Sequence, residues 1–150
     1  MLRSVIFATA TVLTLSTAAF AQKAQYGSAA EAKALLEKTV AAVKADKAKT
    51  LAAINKGDAQ FVDRDLYPAC AGLDGKTVAH PDPARVGLNR NEMKDSAGKP
   101  YGLELAKAEE GKISEVAYMF PRPGADKTPA QKLSYVTKVG DLICLVGYYK

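Results

Sequence analysis

The sequence predicts an α+β domain built from an N-terminal helical segment and five strands, and three observations carry that reading. Apolar residues recur with a helical period between Ser28 and Ile54, the period drops to two after Phe61, and the C-terminal third alternates through three short strand-like runs. The predicted order is helix, hairpin, helix, three-stranded meander. With 150 residues, 48% of them hydrophobic and 25% charged, the chain has the balance of one soluble globular domain, which excludes a collagenous, repetitive or disordered polypeptide.

The first residues read as a targeting segment rather than as part of the fold. Met1, Leu2 and Arg3 give a cationic start, residues 5–20 are largely apolar, and Ala19-Phe20-Ala21 offers small residues at both positions a signal peptidase reads. The expectation is a signal peptide over residues 1–21, cleavage before Gln22, and a single domain over residues 22–150. The apolar run is shorter than the ~20 residues that span a bilayer comfortably, which argues against a retained anchor. Export to the periplasm or beyond follows.

The first helix starts at Ser28, where Ser28-Ala29-Ala30-Glu31 reads as a capping box. Leu36, Val40, Val43, Thr50, Leu51 and Ile54 then form one stripe, interrupted by the polar residues 44–49, so a kink or two consecutive helices are expected. Gly57 suits a left-handed C-cap. Residues 66–73 and 76–80 read as strands joined by Asp74-Gly75 in a type I′ turn. Residues 81–100, rich in Pro, Asp, Asn and Gly, read as an irregular crossing loop with at most one helical turn, and loops of this length are commonly functional. A helix over 101–110 closed by Gly111, and strands over 113–120, 132–139 and 142–149, complete the order.

Several function classes fall away on composition. One His and two Cys exclude a metal centre of several imidazoles or thiolates, and no CxxCH run attaches a haem. Asp63 and Asp65 are only a fragment of a calcium loop. The net charge of +5 comes from lysines interleaved with Glu31, Glu37, Asp46 and Asp58, a solvated face without the aromatic-basic pattern of a nucleic-acid binder. No GxSxG elbow or metal cluster marks an enzyme, and nothing in the spacing requires His80 and Ser134 to act as a dyad. The reading is non-enzymatic, with no cofactor and no nucleic-acid partner.

The runs FVDRDLY (61–67), LDGKTVAHP (73–81), RVGLN (85–89), KDSAGKPY (94–101), KLSYV (132–136) and VGYY (146–149) resemble the single Cache domains of bacterial extracytoplasmic sensors. The resemblance covers nearly all of residues 22–150. It implies a PAS-like fold, with a long N-terminal helix on one face of a five-stranded antiparallel sheet and loops or short helices enclosing a small-molecule pocket on the other. It also implies a small carboxylate or amino acid as ligand and signalling through a membrane partner. Pro68 departs from the pattern inside a strand the family places centrally, so a local bulge is expected there. Phe120 stands where relatives usually carry Trp. A periplasmic interaction or structural protein with a closed PAS-like core is the competing reading.

Five residues are candidates for the ligand site. Tyr67 shares a strand face with Ala69 and Ala71, whose small side chains leave space beside the sheet unless a helix covers them. Lys132, at the start of its strand, would be an apolar-lined cation for a carboxylate, or else a surface Lys at a strand end; the resemblance favours the ligand role. Lys132 and Tyr135 face opposite ways on a regular strand, which assigns Tyr135 to packing. Tyr118 offers a phenol or fills the core. His80 titrates nearest neutrality or serves as a structural hydrogen bonder. Arg122 lies on the turn beside the expected pocket mouth. The family's strand order sets the first and last strands side by side, so Cys70 and Cys144 are either bonded or a free buried pair.

Overall fold

The computed structural model describes residues 24–150; the predicted signal peptide and its cleavage point lie outside the described residues. Helix α1, Ala29–Ala45, opens on the capping box, with the Ser28 side chain accepting from the Glu31 N–H and the Ser28 N–H donating to the Glu31 carboxylate. Its inward stripe is Ala32, Leu36, Thr39 and Val43. The polar stretch does break the helix. Asp46 leaves helical geometry at φ −155°, donates its N–H to the Ala42 carbonyl, and accepts the Lys49 N–H to start α2, Lys47–Asn55. Gly57, at φ 67°, then closes α2 in a Schellman motif, with Gly57 N–H on the Ile54 carbonyl and Asp58 N–H on the Ala53 carbonyl.

The five strands are β1 (Pro68–Gly72), β2 (Thr77–Ala79), β3 (Ser114–Pro121), β4 (Pro129–Val139) and β5 (Leu142–Tyr149), all antiparallel in the order β2-β1-β5-β4-β3. The first and last strands therefore pair, and Cys70 stands directly opposite Cys144, joined to it by a disulfide at a Cα separation of 4.1 Å. So short a separation marks a pair without ladder hydrogen bonds between its members. Pro68, two residues earlier, falls in the same class, so its nitrogen faces the side where β2 has already ended and no ladder bond is lost. The bulge expected at Pro68 lies instead between Cys70 and Ala71, on the β2 side.

Three further expectations are corrected. The β1–β2 turn is not type I′: Asp74 is not left-handed, and only Gly75, at φ 87°, adopts positive φ. The Gly75 N–H reaches the Gly72 carbonyl and the Gly72 N–H the Lys76 carbonyl, a tight turn followed by a glycine bulge. Residues 81–100 hold two 3-10 turns, Pro83–Arg85 and Arg90–Glu92, rather than one helical turn at most. Helix α3 spans only Tyr101–Leu105, because the residues after it are drawn to the sheet: the Lys138 N–H binds the Glu109 carbonyl and the Gly140 N–H binds the Glu110 side chain.

Strand alternation divides the core in two. On one face, Ala32, Leu36, Val43 and Ile54 of the helices pack on Cys70, Ala79, Val139, Leu142, Cys144 and Val146. On the other, Tyr101 and Leu105 of α3 cover Val116, Tyr118, Val136, Ile143 and Leu145. Among the described residues no helix is long and apolar enough to cross a membrane.

Candidate functional site

The site lies on the second face, where β4 buries a lysine. Lys132 is the fourth residue of β4 rather than its first, and only 2% of it is exposed. Its Nζ donates to the Tyr67 hydroxyl at 2.9 Å and sits 4.4 Å from the Tyr67 ring centre, 5.0 Å from that of Tyr149 and 5.1 Å from that of Phe120. The negative ring faces stabilise a cation where water cannot. No carboxylate pairs with it among the described residues, and burial pulls its pKa below the ordinary lysine value. Gly147 on β5 makes room for it. A Cβ there would collide with Lys132 Cε and come within 2.5 Å of Ser134 Oγ.

Around this lysine lies a cleft of about 50 Å³, open at its mouth. Tyr67, just before β1, and Ala69 and Ala71 of β1 form its floor, and Tyr101, Met93 and Leu105 its roof. Tyr101 stacks on Tyr118 at 4.1 Å between ring centres, and the Tyr118 hydroxyl is held by Ser134 Oγ at 2.9 Å. The lining also carries His80, Arg85 and Arg90 and contains no Asp or Glu. His80 Nδ1 accepts the Asp82 N–H, which leaves the proton of the neutral ring on Nε2 as a donor. Burial, Lys132 and Arg85 hold the His80 pKa down to about 4, so the ring is neutral at pH 7. Burial likewise pushes the Tyr67 phenol up to about 12.

The two arginines come from the long loop, which is strapped to the sheet. The Thr77 N–H binds the Leu88 carbonyl, the Gly87 N–H binds the Thr77 carbonyl, and the Arg90 N–H binds the Gly75 carbonyl. Asp82 caps the first 3-10 turn and Asn89 the second, aligning Arg85 and Arg90 with the cleft. Arg85 lies 4.8 Å over the Phe120 ring. Arg90 is 5% exposed, yet its Nε and Nη1 have no hydrogen-bond partner, and Nη2 has only a 3.5 Å contact to Asn91. Each orphaned buried donor costs about 1–3 kcal/mol.

The arrangement is an apolar, aromatic-walled recess with cations and no anion among its lining residues. Its family can now be named. The model of the family described as single Cache domain 2 matches residues 9–148. The chain belongs to the single Cache domain family. No curated protein matches the sequence. Among solved structures, a methyl-accepting chemotaxis protein from Vibrio parahaemolyticus is similar at 21% identity and a TM-score of 0.66, over 80% of this chain and 86% of that one. The periplasmic sensor domain of a chemotaxis protein is similar at 24% identity and a TM-score of 0.60, over 79% and 87%. A Cache chemosensory domain described for carboxylic acid recognition is similar at 22% identity and a TM-score of 0.58, over 79% and 85%.

In this Cache domain the sequence-derived candidates separate into two groups. Lys132, Tyr67, Tyr118 and His80 all line the inner cleft. Arg122 does not: it pairs with Asp65 at 3.0 Å, lies over the rings of Tyr26 and Tyr149, and lines a larger, more open outer groove that also touches Tyr67, His80 and Phe120. Asp65 accepts the Gly27 N–H as well, so it serves the fold rather than a calcium ion, and no metal-ligating cluster exists among the described residues. Ser134 is engaged by Tyr118 and His80 by Asp82, so neither supports the other as a dyad. Tyr135 stacks on Tyr148 on the helix face.

Sequence reasoning missed Arg85, Arg90 and Gly147. Arg85 opens the RVGLN run, so its signal was in plain view. A glycine whose absent side chain leaves room for a lysine on the next strand cannot be read without the register.

Proposed function

We propose that this Cache domain is an exported, non-enzymatic receptor module for a small organic carboxylate, passing its bound state to a membrane partner. The observation that carries the reading is a cleft lined by Lys132, Arg85 and Arg90 with no acidic side chain in its wall. A carboxylate inside it replaces lost hydration with charge-assisted hydrogen bonds from Lys132, the Tyr67 hydroxyl and the neutral His80 Nε2–H. An α-amino acid fits less well, because its ammonium would enter the same cationic space without a partner. The likeness to a domain described for carboxylic acid recognition supports the choice. Unfilled space between sheet and roof argues against a closed core serving only as an interaction scaffold. Export is supported by the cationic and apolar start of the chain and by a disulfide, which persists in oxidising compartments.

Calorimetry and thermal-shift measurements with acetate, propionate, pyruvate, succinate, alanine and aspartate test the reading. Native-state binding raises the melting temperature, and the expected result is stabilisation by carboxylates lacking an ammonium. Stabilisation by the amino acids alone, or by none of the panel, overturns it. Mature protein in a periplasmic extract should begin at Gln22; an intact Met1 in the membrane fraction overturns the export assignment.

A further inference from the structure

We propose that Arg90 is a second anion-binding pole of the cleft, which makes the ligand class a short linear dicarboxylate. The proposal rests on the carboxylate reading of the same cleft and narrows it.

Arg90 and Lys132 enter the cleft from opposite ends of β1. Lys132 is bound to Tyr67, just before the strand, and Arg85 joins that end through the Phe120 ring that both cations share. Arg90 is anchored beyond the other end, where its N–H meets the Gly75 carbonyl in the β1–β2 turn. From Tyr67 to Gly72 a strand covers roughly 16 Å. Lys132 and Arg90 both line the one cleft between these ends. Ala69 and Ala71 floor the interval, and their small side chains keep it open.

The two poles differ in how they are satisfied. Lys132 has a hydroxyl and three aromatic faces. Arg90 is buried too, though less completely, with Nε and Nη1 unpartnered, and Nε with one Nη is the edge of a guanidinium that takes a carboxylate in bidentate fashion. A guanidinium buried with free donors is costly unless an anion completes it. A monocarboxylate held at Lys132 leaves that edge unmatched, whereas a second carboxylate at the far end of the same ligand satisfies both poles.

The test is calorimetry with matched pairs of equal chain length: malonate with propionate, succinate with butyrate, glutarate with valerate. In the unmodified protein at least one dicarboxylate should bind ten times more tightly than its monocarboxylate partner. Arg90→Gln should bring that ratio close to one, and Arg90→Lys should recover part of it. Monocarboxylates binding as tightly as their partners, or a preference that Arg90→Gln leaves intact, overturns the second pole and leaves the carboxylate reading standing. Failure of all six acids to bind overturns both. If Arg90→Gln prevents folding, Arg90→Lys carries the comparison in its place, and a ratio it leaves unchanged overturns the second pole.

Discussion

The two faces of the sheet share strands and differ in what they bury. The helix face joins Leu36, Ile54 and Val43 to Val139, Leu142 and Val146, with the Cys70–Cys144 bond beneath them. The loop face holds both deeply buried cations among the described residues, Lys132 and Arg90, beside paired phenols and an open cleft. Alternation makes this possible. On β4, Tyr135 and Val139 look toward the helices while Lys132 and Ser134 look toward the loop, so neighbouring positions answer to packing on one side and to the cleft on the other. One face accumulates stability; the other gives some of it up to a buried charge with no carboxylate partner among the described residues.

The comparison breaks most severely on the helix side. Leu36→Ala leaves a cavity under α1 and should cost about 2–5 kcal/mol of unfolding free energy in denaturant titrations, with carboxylate binding by the folded fraction unchanged. A loss below about 1 kcal/mol would mean that this face is not the stabilising one.

Next comes the disulfide, whose 74-residue separation makes it a strong constraint on the unfolded chain. Replacing both cysteines with Ala should cost about 2–4 kcal/mol. Thiol titration of denatured, non-reduced protein should find no reactive thiol, and finding two per chain would dispose of the bond.

Acid should act on the loop side. The native His80 pKa is held down to about 4 against an ordinary 6.5, so the folded state binds fewer protons than the unfolded one between those values. Stability is therefore full above pH 6.5 and declines as pH falls toward 4, by on the order of 2 kcal/mol. His80→Gln should flatten that limb of a stability–pH curve. An unaltered limb would assign acid sensitivity elsewhere.

The smallest change in stability should come at the most buried cation. Lys132→Met removes a desolvated charge while keeping much of the volume, so the unliganded protein should melt within about 1 kcal/mol of the original. Its stabilisation by carboxylates should disappear in the same thermal-shift assay. A protein that unfolds far more easily would make Lys132 a structural group.

Legibility in the sequence follows the same division. The capping box, the break at Asp46 and the Gly57 cap are local, set by residues within one turn of each other. The Asp74-Gly75 turn was visible in place but not in type, because the bulge depends on how β2 pairs. Tyr67, Lys132, His80 and Tyr118 were legible as chemistry, and alternation placed Lys132 and Tyr135 on opposite faces. Arg122 was expected beside the pocket mouth, and it lines the outer groove that shares Tyr67, His80 and Phe120 with the cleft; its pairing with Asp65 was not legible, because only folding brings the two together.

By itself the sequence determined the helices and the succession of strands in an α+β domain, since capping, periodicity and alternation are short-range properties of the chain. The tertiary structure decided which cations share one recess. A loop strapped beside β2 brings Arg90 to one end of β1, β4 brings Lys132 to the other, and Gly147 opens space for that lysine through a register no local pattern encodes. The physical reason is that burial and partnership of a charge are set by chain segments far apart in sequence, while the propensity to form a helix or a strand is set by neighbours.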